Sequence, residues 1–155
     1  MTADLTIDRE TLQLTMSRVF DAPRELVFKA YTDPELFARW WGPARYENIV
    51  EKFDVRPGGE WRVIQRAADG GTHVFYGVHR EVVPPERIVA TFEYEPFAGH
   101  VMVNTADFED VEGKTRLTVT TQYSSIEDLE GMVQSGMESG ARESWDRLAA
   151  LLATV

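Results

Sequence analysis

Hydrophobic residues recur along this chain at two spacings, and the changes between them mark out its elements. In "LQLTMSRVF" (12–20), Leu12, Leu14 and Met16 alternate with Gln13, Thr15 and Ser17, the period of a strand with one buried face. "DAPRELVFKAYTDPELFARWWGP" (21–43) then carries two helix starts. Asp21 precedes Pro23 near the first turn of one, and Asp33 caps the other with Pro34 at its first position. Pro34 stops the first helix from running on, and Gly42-Pro43 ends the second. Strand-like segments follow at 49–55, 60–67, 72–83, 87–95, 100–111 and 115–123, with turn signals at R-P-G-G (56–59), A-D-G-G (68–71), Pro84-Pro85 and Glu112-Gly113-Lys114. Short turns between consecutive strands predict an antiparallel meander.

From about Ser125 to Val155 the spacing becomes helical, with an irregular turn or two before Gln134. Val133, Met137, Ala141, Ser144, Trp145, Leu148, Leu151 and Leu152 fall on one side of that wheel. Glu138 with Arg142, and Glu143 with Arg147, are spaced as ion pairs on the other. A sheet with one apolar face needs a cover, and this last helix is the candidate. The predicted fold is therefore α+β of the helix-grip kind: a curved antiparallel sheet of about six to seven strands around a long C-terminal helix, with two short helices after the first strand. Residues 1–11 read as a loosely held lead-in to one domain spanning 12–155.

Some positions fit a solid core poorly. Ala141 and Ser144 sit mid-face on the covering helix, where leucine would fill more space. Gly131, Gly136 and Gly140 lie in the same segment, and a helix-interior glycine costs about 1 kcal/mol relative to alanine. Alternation puts Leu117, Val119, Thr121 and Tyr123 on one strand face and Met102, Asn104, Ala106 and Phe108 on another. Asn104 and Thr121 are thus polar at inward positions, to be satisfied by each other, by water or by a ligand. In 72–83, Phe75, Gly77, His79 and Glu81 share one face and Tyr76, Val78 and Arg80 the other, and the pattern leaves open which turns inward. Trp40 and Trp41, adjacent on a helix, point about 100° apart. One is expected to seal the core and the other to border an opening, while Trp61 and Trp145 fit ordinary packing.

The totals narrow the function. The 155 residues carry 26 acidic against 16 basic side chains, a formal charge of −10. That balance, without a Lys/Arg block, speaks against nucleic-acid binding. The acidic start has no apolar run, so neither a signal peptide nor a membrane span is expected, and the cytoplasm is the default location. The absence of cysteine excludes disulfides, thiolate catalysis and zinc–sulfur sites. His73 and His79 stand six residues apart on one strand, roughly 20 Å, too far to share a metal. "GMESG" (136–140) has its serine one position late for a nucleophile elbow, and the paired glycines lie in strand turns rather than phosphate loops. No metal and no cofactor is expected; a hidden general acid or base would leave little linear trace.

"SRVFDAPRELVFKAYTDPELFARWWGP", "FDVRPGGEW", "YGVHREVVPPERIVATF" and "SGMESGARESWDRLAALL" resemble the SRPBCC (START/Bet v 1-like) superfamily, and within it the branch named for homology to the activator of Hsp90 ATPase. The resemblance covers about 12 to 153, and the ordered combination of D-A-P, D-P, W-W-G-P and R-P-G-G is what carries it. It implies the helix-grip fold with a deep cavity between sheet and long helix. Similar domains bind lipids, steroids, hormones or polyketides; some act as cyclases and others bind Hsp90. The shared motif residues read as architectural, and no cyclase motif maps onto this chain.

The expectation is a domain binding a small hydrophobic molecule of lipid, polyketide or aromatic type. Its walls would be Trp40, Trp41, Phe53, Phe92, Met102, Phe108, Met137, Ala141 and Trp145. His79, Asn104, Thr121 and Ser144 would orient a polar group. The alternatives are a cyclase- or hydratase-like enzyme, with His79 the weak catalytic candidate, and an Hsp90-type interaction module. The last ranks below the others because the chain lacks the separate docking domain that eukaryotic activators carry. A homodimer is compatible with the sequence, although no motif requires one.

Overall fold

A computed structural model describes residues 3–155. Its elements are β1 (Asp4–Asp8), β2 (Gln13–Phe20), α1 (Arg24–Thr32), α2 (Pro34–Trp40), β3 (Tyr46–Phe53), β4 (Glu60–Ala67), β5 (Thr72–Val83), β6 (Arg87–Tyr94), β7 (Met102–Val111), β8 (Lys114–Gln122), α3 (Ile126–Gln134) and α4 (Met137–Leu152). A 3₁₀ turn, Glu95–Phe97, follows β6. The strands form one eight-stranded sheet in the order β1-β2-β8-β7-β6-β5-β4-β3, antiparallel throughout. The sheet is open and curved, and the fold is the α+β helix-grip arrangement.

Two expectations change. The lead-in contains a strand: β1 pairs with β2 from Asp4↔Ser17 to Asp8↔Gln13, giving the sheet an eighth member. Its apolar positions, Leu5 and Ile7, alternate over too few residues to stand out, and Met1 and Thr2 lie outside the described residues. The C-terminal helix is two helices. Ser135 ends α3, and Gly136, at φ +83, turns the chain before α4. A side chain there would meet the steric cost of left-handed backbone, roughly 1–2 kcal/mol.

Asp33 works as its position predicts: its carboxylate accepts from the backbone N–H groups of Glu35 (2.9 Å) and Leu36 (3.3 Å), with Pro34 opening α2. The core lies between the sheet's inner face and the helices, built on Phe20, Val27, Trp40, Val63, Leu117 and Leu148. Trp40 is 1% exposed, and its indole N–H donates to the Ala30 carbonyl at 2.9 Å, tying α2 to α1. A buried tryptophan of this kind costs about 3–5 kcal/mol to truncate.

The backbone of α4 lies nearer to α1, α2 and α3 than to any strand. Only long side chains bridge the distance, Trp145 meeting Phe20 edge-on at 5.5 Å between ring centres. Short side chains at Ala141 and Ser144 therefore leave space beneath the helix.

Candidate functional site

The W-W-G-P corner is fixed first. Trp41 caps α2, its N–H bonding the Phe37 carbonyl at 3.1 Å. Gly42 turns at φ +77, left-handed backbone that favours glycine, and a Cβ there would also displace the Gln65 carboxamide, whose Nε2 it would approach to 2.0 Å. α4 then holds the corner. Ser144 Oγ accepts from the Gly42 N–H, Glu143 accepts from the Ala44 N–H at 2.7 Å, and the Arg147 guanidinium donates to the carbonyls of Gly42 and Arg39. Asn48 donates to Ala38 and Trp41 carbonyls at 3.0 and 2.6 Å. The predicted Glu138–Arg142 pair forms, at 3.8 Å, but Glu143 and Arg147 serve the corner instead of each other.

The R-P-G-G turn does a similar job at the other end. The Gly58 N–H donates to the His79 carbonyl and the His79 N–H to the Gly59 carbonyl, both at 2.8 Å. A Cβ on Gly59 would fall 2.0 Å from the Asp54 carbonyl oxygen. Burial gives the orientation of β5: Gly77 and His79 are buried and Val78 and Arg80 exposed, so the Phe75, Gly77 and His79 face turns inward, while Glu81, expected on that face, is exposed past a register shift after His79. Gly77 gives room for Trp61, whose indole N–H reaches the Thr91 carbonyl at 3.0 Å.

Between these two fixed points lies a partly open hollow of about 260 Å³. Of the predicted residues, Trp40, Trp41, Phe53, His79, Phe92, Asn104, Thr121, Met137, Ala141, Ser144 and Trp145 border it. Two do not. Phe108, on the correct strand face, lies past the hollow and packs edge-on against Phe28 and Tyr31. Met102, at the other end of β7, joins Leu14, Tyr123 and Leu129 in a separate cluster under α3. Both are too far along β7, in opposite directions, although the phase was right. Conversely, Leu14, Met16, Ile88, Ala90, Ala106 and Val119 border the hollow in the phase of predicted neighbours, and alternation alone places them there. Phe37, Trp61 and Tyr31 complete the wall. Tyr31 gave the least signal, since one turn of α1 reads as core.

The two indoles divide the work. Trp40 is core with an edge on the hollow, whereas Trp41 is half-buried and stacks on Phe37 at 5.3 Å while meeting Trp61 and Phe75 edge-on. No Lys, Arg, Asp or Glu is among the described residues that border the space. Its polar groups are few. Thr121 donates to Asn104 Oδ1 at 2.7 Å across β7 and β8, where the two residues sit in register. Trp145 Nε1 donates to Tyr31 Oη at 3.1 Å. His79 is 6% exposed, with Nδ1 donating to the Gly59 carbonyl at 3.2 Å. Burial holds its pKa below the usual histidine value, against the opposing pull of the Gly59 and Asp54 backbone. A larger depression, about 620 Å³, lies at Lys52, Asp54, Gly58 and Glu60, but it is open to solvent and mostly charged at its rim.

His73 lies apart from the hollow, its ring nitrogens 2.6 Å from Tyr94 Oη and 3.4 Å from Tyr46 Oη. Among the described residues no group of three His, Asp or Glu side chains could hold a metal ion, and no helix is long and apolar enough to cross a membrane.

Solved structures share this arrangement over nine-tenths or more of its length. A Mycobacterium smegmatis protein, known from its crystal structure, is 29% identical, with a TM-score of 0.88 over 99% of both chains. An Arthrobacter aurescens protein, solved by NMR, is 25% identical, with a TM-score of 0.92 over 100% of this chain and 94% of the other. A Chromobacterium violaceum protein is 28% identical, with a TM-score of 0.79 over 90% of this chain and 96% of the other. No curated protein matches. The profile of one family, described as Activator of Hsp90 ATPase homolog 1-like protein, matches residues 21–153. That span takes in the latched W-W-G-P corner, the R-P-G-G turn and the whole of α4, and by it the chain belongs to the Activator of Hsp90 ATPase homolog 1-like family.

Proposed function

We propose that this protein binds a small, mostly apolar molecule in the hollow between the sheet and α4. The observation that carries the reading is the wall itself: aromatic and aliphatic side chains surround about 260 Å³ that Ala141 and Ser144 leave unfilled. An apolar guest there would remove hydrocarbon surface from water at about 25 cal/mol per Å². Trp41, Trp61 and Trp145 all border the space, so occupation would change their emission. Titration with a hydrophobic compound series should shift tryptophan fluorescence and raise the melting temperature. A ligand at a hundred times its dissociation constant stabilises by about 2.7 kcal/mol. No shift and no stabilisation across lipids, aromatics and polyketides would overturn the reading.

His79 supports a second reading, a cyclase- or hydratase-like enzyme. It is the one side chain at the hollow whose ordinary titration range lies near neutrality, and burial favours its neutral, basic form. Here His79→Gln would abolish turnover while leaving the fold intact; unchanged kinetics would remove His79 from the chemistry.

A further inference from the structure

The polar groups around the hollow are unbalanced between hydrogen-bond donors and acceptors. Tyr31 Oη already accepts from Trp145 Nε1, and Ser144 Oγ already accepts from the Gly42 N–H. Neither hydroxyl proton has a protein acceptor among the described residues. On the sheet, Thr121 donates to Asn104 Oδ1, so the Asn104 carboxamide uses its oxygen within the protein and keeps both amide protons. His79 directs its Nδ1 proton to the Gly59 carbonyl, which leaves its Nε2 as an acceptor. Four unmatched protons therefore belong to three side chains that border the same space: one on Tyr31, one on Ser144 and two on Asn104.

This imbalance has a direction. Once a guest displaces water from the hollow, a donor left without an acceptor is costly, whereas a carbonyl or hydroxyl oxygen tolerates an unused lone pair more readily. Burial raises the Tyr31 pKa, so the phenol keeps its proton at neutral pH. A carboxylate or phosphate would enter a space bordered by no Lys or Arg, and an ammonium would find no Asp or Glu. A guest's donor would have His79 Nε2 to bond, whereas its acceptors would have four unmatched protons, so acceptors are favoured.

We propose that the hollow selects uncharged molecules whose polar atoms are mainly acceptors, such as ketones, quinones and esters. Tyr31 on α1 and Ser144 on α4 bond such an oxygen from the helix side, and Asn104 bonds one from the sheet side. This rests on the hollow being the ligand site, and sharpens it from apolar molecules in general to carbonyl compounds.

Three tricyclic probes that differ at one carbon test it: fluorene, 9-hydroxyfluorene and 9-fluorenone, each titrated by tryptophan quenching and checked by calorimetry. Fluorenone should bind about three- to ten-fold tighter than fluorene, the worth of one net hydrogen bond, and tighter than 9-hydroxyfluorene. Tyr31→Phe should bring the fluorenone-to-fluorene affinity ratio to within about two-fold of unity. If that variant fails to fold, Ser144→Ala gives the same readout and should also lower the ratio. Equal affinities for the three probes, or a ratio unchanged in the variant that folds, overturn the selection while leaving the hollow as a binding site. Binding of none of them overturns the hollow reading and the selection together.

Discussion

His79 and Gly77 share the inward face of β5, and each makes a separate demand on the fold. His79 is held neutral by burial, so its folded pKa lies below the unfolded value of 6.5. The unfolded chain therefore takes up the proton first as pH falls. The contribution of His79 to stability is complete above about pH 6.5 and declines below it, until the folded pKa is passed. His79→Gln should lose less melting temperature than the wild type between about pH 7.5 and about pH 5.5; parallel pH curves would contradict this. Gly77 meets the Thr91 carbonyl oxygen and Trp61 Nε1, which a Cβ would approach to 1.9 and 2.6 Å. The first neighbour is backbone and cannot swing aside. Gly77→Ala should cost about 1–3 kcal/mol in urea unfolding, the usual penalty of overpacking, and should disturb Trp61 emission. In the sequence His79 and Gly77 lay on one of two equivalent faces. Both faces carry apolar and charged members, and burial in the folded sheet is what distinguishes them.

Among the elements, the W-W-G-P corner and α4 depend on each other. Alternation, capping and turn chemistry placed β2 to β8, α1 and α2 within a few residues, because each of those signals acts locally. The break at Gly136 was less legible. Val133 continues the apolar stripe of α4 across it, so the helical period alone gives one rod, while the left-handed glycine turns it into two. Glu143 and Arg147 misled for a similar reason: spacing of four predicts a pair, but the exposed end of α2 offers Arg147 two carbonyls and the Ala44 N–H competes for Glu143. Arg147→Met should destabilise the protein by about 1.5–3 kcal/mol, the range for hydrogen bonds to a charged group. It should also broaden Trp41 emission, since the corner that sets that indole is no longer held. An unchanged denaturation midpoint would mean the latch is ornamental.

At the scale of the whole molecule, the sheet and α4 do not close fully on each other, and the hollow is what remains between them. Strand phase told which residues face that space but not how far along each strand it extends. Phe108 and Met102 show this, one past each end of the same run on β7. The central claim is that the space is kept for a guest. Mass spectrometry under non-denaturing conditions, on wild type and Ala141→Phe purified together from the protein's own source, tests it most directly. The account predicts one small molecule retained per wild-type chain, released on unfolding, and none on Ala141→Phe, whose ring fills the gap under α4. A bare wild-type chain, or the same adduct on both proteins, would contradict it.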